Sequence, residues 1–295
     1  MGEHFADRLT AAVERTGGPV CVGLDPVPER LPAALRAMPI GEALAAFGQG
    51  VIEAVKDTAA AVKPQLACYE RHGVAGLTAY EATVEAAKAA GLLVIADAKR
   101  GDIGISAGHY AAALLGPDGI GGGADAVTVS PYLGPDTLEP FVEAATRHGA
   151  GLFVLVRTSN PGSSALQRLR LDDGREVCEA VADQVVALGE RSVGACGYSA
   201  IGAVVGATHP EDAARLRGRM ARQVFLVPGY GAQGGGVAEV LPCFNGDGAG
   251  ALITASRSVI YAYEKMDADD WREPVREAAT AMRDKLAAGL RGGGG

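Results

Sequence analysis

The stretch Leu92-Leu93-Val94-Ile95-Ala96-Asp97-Ala98-Lys99-Arg100-Gly101-Asp102-Ile103 decides how this chain is read. Its first five residues form a continuous apolar run with β-branched members, the pattern of a parallel strand buried on both faces. Charge begins where that run stops. Asp97 and Lys99 lie two residues apart, so on a strand they share one face. Asp102 falls where a following helix would begin. A generic D-x-K-x-x-D is usually a surface helix start with two ion pairs, but this one follows directly on a buried-type strand.

Seven further runs fit the same template: Val20–Leu24, Ala60–Lys63, Ala126–Ser130, Leu152–Arg157, Ala203–Gly206, Val224–Val227 and Ala251–Thr254. The second and the seventh in chain order are the least marked. Helical candidates lie between the runs, among them Glu42–Asp57, Val74–Ala90, Thr137–His148 and Arg175–Arg191, and a last helix follows Trp271 and carries Leu286 near its end. Eight strand-then-helix units in 295 residues predict an α/β chain folded as one closed (β/α)8 TIM barrel, in preference to an open doubly wound sheet. The expected single domain spans 1–291, with a disordered glycine tail over 292–295. The insertions 116–123 and 166–174 have no assigned role.

Composition narrows the function classes. Hydrophobic residues make up 48% of the chain and charged residues 21%, as in an ordinary globular protein. The formal net charge of -8 disfavours nucleic acid as a partner, because phosphate backbones select basic surfaces. Five scattered cysteines without C-x-x-C spacing suggest neither a zinc site nor a disulfide framework. The N-terminal stretch reads as a short amphipathic helix rather than a signal peptide, and no apolar run approaches the roughly 20 residues needed to span a bilayer. A cytoplasmic protein without a membrane partner is expected.

In a (β/α)8 barrel the chemistry collects at the C-terminal ends of the strands. Asp25 follows the first run and Lys63 ends the second. Asp97, Lys99 and Asp102 belong to the third, Ser130 to the fourth, and Ser159 and Asn160 to the fifth. The seventh leads into Pro228-Gly229-Tyr230-Gly231-Ala232-Gln233, and the eighth into Ser256-Arg257. The predicted result is an alternating set, Lys63–Asp97–Lys99–Asp102. A lysine flanked by carboxylates stays protonated. That suits a reaction that builds negative charge on carbon and must then quench it. The loop from Gly229 to Gly234 formally matches G-x-G-x-x-G, but it lies late in the chain without a downstream acid-ended strand, so a dinucleotide site is rejected. With Arg257 it suits a phosphate site of the barrel type. The five histidines show no ligand spacing, and no metal site or cofactor signature is found.

These residues also carry a family resemblance. The blocks VCVGLDP, AVKPQLACYERHG, LLVIADAKRGDIG, ADAVTVSPYLG, FVLVRTSNPG, FLVPGYGAQGG and ITASRSVIYA run in order from near residue 20 to near residue 263. In them the chain resembles the orotidine 5′-phosphate decarboxylases, in particular their longer bacterial branch. D-x-K-x-x-D-I alone is shared with sugar-phosphate decarboxylases and aldolases of the same superfamily. The SNPG and PGYGAQGG blocks with the arginine after strand eight are more specific.

The resemblance implies cofactor-free decarboxylation of orotidine 5′-phosphate to UMP and CO2 in pyrimidine biosynthesis. Lys99 would stabilise the carbanion and deliver the proton, and Asp97 would face the substrate carboxylate. Asp25 and Lys63 would contact the ribose hydroxyls. Ser159 would bind the pyrimidine amide edge, and Gln233 and Arg257 the phosphate. Asp102 would complete the active site of the partner subunit across a homodimer interface. Ser106 departs from the family's common threonine but keeps the hydroxyl for a ribose contact. Two rivals are a metal-dependent sugar-phosphate decarboxylase or aldolase on the same barrel, and a non-catalytic nucleotide-binding barrel.

Overall fold

The computed structural model describes residues 3–231, 236–266 and 268–292. Eight parallel strands close into a barrel in chain order: β1 (Val20–Leu24), β2 (Ala61–Pro64), β3 (Leu93–Arg100), β4 (Ala126–Val129), β5 (Gly151–Arg157), β6 (Ser199–Val205), β7 (Gln223–Pro228) and β8 (Ala251–Ala255). The ring closes where β1 pairs with β8, Val20 opposite Ile253 and Cys21 opposite Thr254. The fold is therefore the expected (β/α)8 barrel and not an open sheet. Helices Ile40–Val55, Gly73–Ala89, Gly104–Leu115, Glu139–His148, Val177–Gly189, Pro210–Arg219 and Arg272–Gly292 lie in the connections and at the C-terminal end. Among the described residues, the connection after β7 holds the short turns Val237–Val240 and Leu241–Cys243.

Alternation along the strands divides the apolar residues between two cores. Cys21, Ala61, Leu93, Ile95, Ala126, Phe153, Val204, Leu226 and Leu252 point into the barrel. Their neighbours Val22, Val62, Val94, Val127, Val154, Ala203, Val227 and Ile253 point outward and pack with the helices. Both faces of every strand are thus buried, which is why the runs read as continuous rather than alternating. Helix Phe5–Thr16 closes the N-terminal end of the barrel and contributes Phe5, Leu9 and Ala12 to the inner core. Phe5 meets Phe153 edge-on, with ring centroids 5.9 Å apart. Gly151 makes room for it, since a Cβ there would overlap the Phe5 ring.

The differences from the predicted boundaries have local causes. β6 begins four residues before the predicted Ala203, at the polar Ser199, which is buried because its hydroxyl donates to the Gly189 carbonyl at 3.0 Å and accepts from the Ile201 N–H at 3.0 Å. β3 runs on to Arg100, which pairs with Val129, but its register against β4 breaks between Ala96 and Arg100. The last helix extends through Gly292, the first residue of the expected tail, and 293–295 lie outside the described residues. Among the described residues no helix is long and apolar enough to cross a membrane.

The inner core makes one stability prediction. Phe5 is 1% exposed and plugs the barrel floor. Phe5→Ala should lower unfolding free energy by about 3–5 kcal/mol, the usual cost of a buried aromatic truncation. Urea titration checks this, and a loss below 1 kcal/mol would mean that the floor is not sealed by this ring.

Candidate active site

Polar side chains take over where the inner apolar layers end. Two residues past Ile95 on the inner face of β3 stands Asp97, and two past Ala61 on β2 stands Lys63. Two past Ala126 on β4 stands Thr128, and two past Leu252 on β8 stands Thr254. The strand period of two therefore carries the inward direction from the plug to the mouth of the barrel. A cavity of about 450 Å³ opens there, lined by Lys63, Asp97, Lys99, Thr128 and Ser159 among others. A smaller one of about 190 Å³ shares Lys63, Asp97, Ser159 and Pro228 with it and extends to Asp25, Gly229, Tyr230 and Arg257.

Asp97 is the centre of the arrangement. It is 4% exposed and Lys63 is 6% exposed. The Lys63 ammonium donates to Oδ2 of Asp97, and the Lys99 ammonium to Oδ1 at 2.5 Å. Gln65 Nε2 adds a bond to Oδ2 at 3.1 Å and the Thr128 hydroxyl one to Oδ1, also at 3.1 Å. Burial pushes the Asp97 carboxyl up, but the two ammonium groups outweigh it and hold it down at about 2. Burial likewise disfavours the charged Lys63, yet Asp97 and Asp25 raise its pKa well above the ordinary lysine value. Lys63 and Asp97 are thus ionised together. Lys99 keeps nearly half of its side chain open to the cavity. Its backbone is unusual: φ is +48°, the one non-glycine residue in the left-handed region among those described. Such a conformation costs on the order of 1–3 kcal/mol and persists only where its surroundings enforce it.

The remaining predicted residues divide into two groups. Asp25, Ser159 and Arg257 line the same mouth as the lysines. Asp25 Oδ1 is buried and has no hydrogen-bond partner among the described residues, an unsatisfied acceptor on a residue that lines the smaller cavity. Tyr261 fixes the exit of β1 by donating to the Asp25 carbonyl at 3.1 Å and accepting the Val27 N–H at 2.7 Å. Gly229 and Gly231 both take positive φ, +105° and +78°, so the loop turns back toward Arg257 as glycine alone readily allows. Gln233 lies outside the described residues. Asp102 and Ser106 do not line the cavity of their own chain. The Asp102 carboxylate accepts the N–H of Ile103 at 2.8 Å, and Ser106 is exposed on the first turn of helix Gly104–Leu115.

A scan of family models matches residues 18–268 to the orotidine 5′-phosphate decarboxylase / HUMPS family. The chain belongs to this family. It is 44% identical over 298 residues to orotidine 5′-phosphate decarboxylase of Rhodopirellula baltica, covering 96% of this chain and 98% of that protein. Identity to the Clostridium perfringens orotidine 5′-phosphate decarboxylase is 38% over 285 residues, with 96% and 98% covered. The solved structure of Leishmania donovani OMP decarboxylase superposes with a TM-score of 0.77 at 34% identity, over 98% of this chain and 99% of that one.

The family member described here also holds polar residues at its barrel mouth that sequence reading passed over. Thr128 was hidden because threonine is an ordinary strand residue, although strict alternation from Ala126 would have placed it inside. Arg157, 1% exposed, donates to Asp212 Oδ2 at 2.8 Å, to the Ser163 hydroxyl at 2.5 Å and to the Ser164 hydroxyl at 3.1 Å. Gln167 accepts the Thr158 N–H at 2.9 Å and lines the cavity beside Ser159. The start of the 166–174 insertion is therefore part of the wall that carries Ser159.

The Asp97 pairing implies a specific acid dependence. Its folded pKa is depressed, so its contribution to stability is fully present above the ordinary value of 3.8 and is lost as pH falls through about 2. Asp97→Asn should lose less stability than the wild type across that window, while being less stable at neutral pH because Lys63 loses its buried counter-charge. Unfolding by urea at stepped pH checks both signs. Equal acid slopes in the two proteins would show that Asp97 is not held ionised by the lysines.

Proposed function

We infer that this chain decarboxylates orotidine 5′-phosphate to UMP and CO2 in pyrimidine biosynthesis, with Lys99 as the proton donor. The observation that carries the assignment of roles is the Lys63–Asp97–Lys99 line at the barrel mouth of a chain in this family. Breaking the bond between the orotate ring and its carboxylate leaves an electron pair on a ring carbon that the ring delocalises poorly. The barrier is high, and enzymes commonly have to lower such barriers by roughly 8–23 kcal/mol. Lys99 presents a fixed ammonium to that developing charge inside a partly enclosed cavity, where preorganised charge is most effective. As CO2 departs, the carbon takes a proton from Lys99, and solvent returns one to the amine.

The other residues supply placement. Asp97, held ionised by its neighbours, would face the carboxylate that must leave. Asp25 with its open acceptor and Lys63 suit the ribose hydroxyls, and Ser159 suits the pyrimidine amide edge. Arg257 with the Gly229–Gly231 turn, and with Gln233, suits the phosphate. Phosphate binding far from the reacting carbon can drive closure of the glycine loop and so support the chemical step. Against a metal-dependent sugar-phosphate enzyme stands the state of Asp97: both oxygens already face ammonium groups, so a divalent cation would meet like charge.

A homodimer completes this reading. Ile103, Ile105 and Tyr132 are 64%, 81% and 76% exposed. They lie on neighbouring segments at the barrel mouth, since the Ser130 N–H before Tyr132 bonds to the Arg100 carbonyl before Ile103 at 2.8 Å. Exposed apolar patches of this kind mark association surfaces. Asp102 and Ser106 sit within it, so both would reach the partner subunit's cavity rather than their own. A cytoplasmic location fits the pathway and the five free thiols.

Turnover is read from loss of the orotate absorbance band. Lys99→Ala should abolish it while UMP binding stays measurable, and EDTA should leave the wild-type rate unchanged. Normal turnover in Lys99→Ala would remove the proton-donor role, and loss of activity with EDTA would favour the metal-dependent rival. Ile105→Asp should convert a dimer to a monomer in sedimentation and depress kcat with it. A fully active wild-type monomer would overturn the shared site.

A further inference from the structure

Thr128 sits on the inner face of β4, 1% exposed. Its hydroxyl is used twice. It accepts the backbone N–H of Lys99 at 3.0 Å and donates to Asp97 Oδ1 at 3.1 Å. That same carboxylate oxygen receives the Lys99 ammonium at 2.5 Å. One hydroxyl therefore constrains Lys99 at both ends, its backbone directly and its ammonium through a shared oxygen.

The backbone at this point needs such a constraint. The β3–β4 register breaks between Ala96 and Arg100, so the regular ladder does not hold the Lys99 N–H, and a side chain from β4 takes it instead. Lys99 has φ of +48°, a conformation that a non-glycine side chain keeps only when its surroundings over-determine it. A hydroxyl is the small group that can accept and donate at once. Valine has the same shape and can do neither.

We propose that Thr128 is a positioning residue, whose hydroxyl holds Lys99 in the left-handed backbone conformation that aims its ammonium at the reacting carbon. This rests on the decarboxylase reading with Lys99 as the proton donor. Thr128 acts through Lys99 and Asp97, so its loss should show in the chemical step more than in substrate binding. A misplacement of about 1 Å at a reacting group can cost roughly 10²-fold in rate.

The test compares full-length wild type, Thr128→Val and Thr128→Ser in the orotidine 5′-phosphate absorbance assay, with thermal melting of each. The expected result is a kcat for Thr128→Val lower by roughly 10²-fold, with KM within about threefold, since the lost interaction serves the transition state. Thr128→Ser, which keeps the hydroxyl, should recover most of the loss. If Thr128→Val does not fold, Thr128→Cys takes its place, its thiol being a weak donor and acceptor of similar size. An unchanged kcat in the variant lacking the hydroxyl overturns the proposal, as does a KM that rises as far as kcat falls. A Thr128→Ser as slow as Thr128→Val beside an active wild type overturns the positioning role alone. An inactive wild type would overturn the reading beneath it as well.

Discussion

The Asp97 carboxylate stands between two ammonium groups inside a barrel, and much of the site follows from what that position demands. An isolated carboxylate so deeply buried would take up a proton rather than stay charged. Lys63 on the neighbouring strand and Lys99 two residues on keep it ionised, and it keeps Lys63 protonated in return. Remove Asp97 and the buried Lys63 loses its hydrogen-bonded counter-charge, a costly state. Gln65 and Thr128 fill further positions on the two oxygens, so the carboxylate has little freedom to rotate. The functional consequence is rigidity: a charge pattern fixed before the substrate arrives need not reorganise during the reaction.

The barrel makes this arrangement available. Closing eight parallel strands points every second side chain at a common axis. Below the mouth, those positions are filled by Ile95, Phe153, Leu226 and Leu252 and sealed by Phe5 from the N-terminal helix. The apolar layers exclude water from beneath the charged set and supply its low-dielectric floor. Above them, the same inward direction delivers Lys63, Asp97 and Thr128 from three adjacent strands. At Lys99 the regular β3–β4 ladder yields to the site, its register breaking between Ala96 and Arg100.

The strands were legible because a parallel strand covered on both faces leaves an unmistakable apolar run, and because eight such runs alternate with helical stretches. Boundaries slipped where a polar residue is buried with its bonds satisfied, as Ser199 is at the start of β6. The charged residues of the site were legible because nothing but function or pairing explains charge directly after a run such as LLVIA. Thr128 and Arg157 were not. A strand threonine carries no signal in itself, and the partners of Arg157 come from the 163–167 turns and from Asp212, brought together only by folding. Asp102 and Ser106 show the limit of a single chain, since neither lines the cavity of its own chain.

The charge balance of the whole chain conceals that of the site. A protein with net charge -8 would repel a substrate carrying both a phosphate and a carboxylate if its charge were evenly spread. At the mouth, Lys63, Lys99 and Arg257 face Asp25 and Asp97, three cations against two carboxylates. With screening over about 8–10 Å at ordinary salt, distant surface acids contribute little, and the low-dielectric walls concentrate the local field. The cations are also separated in role. Arg257 is exposed at the rim, whereas Lys63 is already committed to Asp97. The affinity for the anion can therefore come from the rim, where charge is easily solvated in the empty enzyme. The buried Lys63–Asp97 pair has its desolvation cost met in folding rather than in binding.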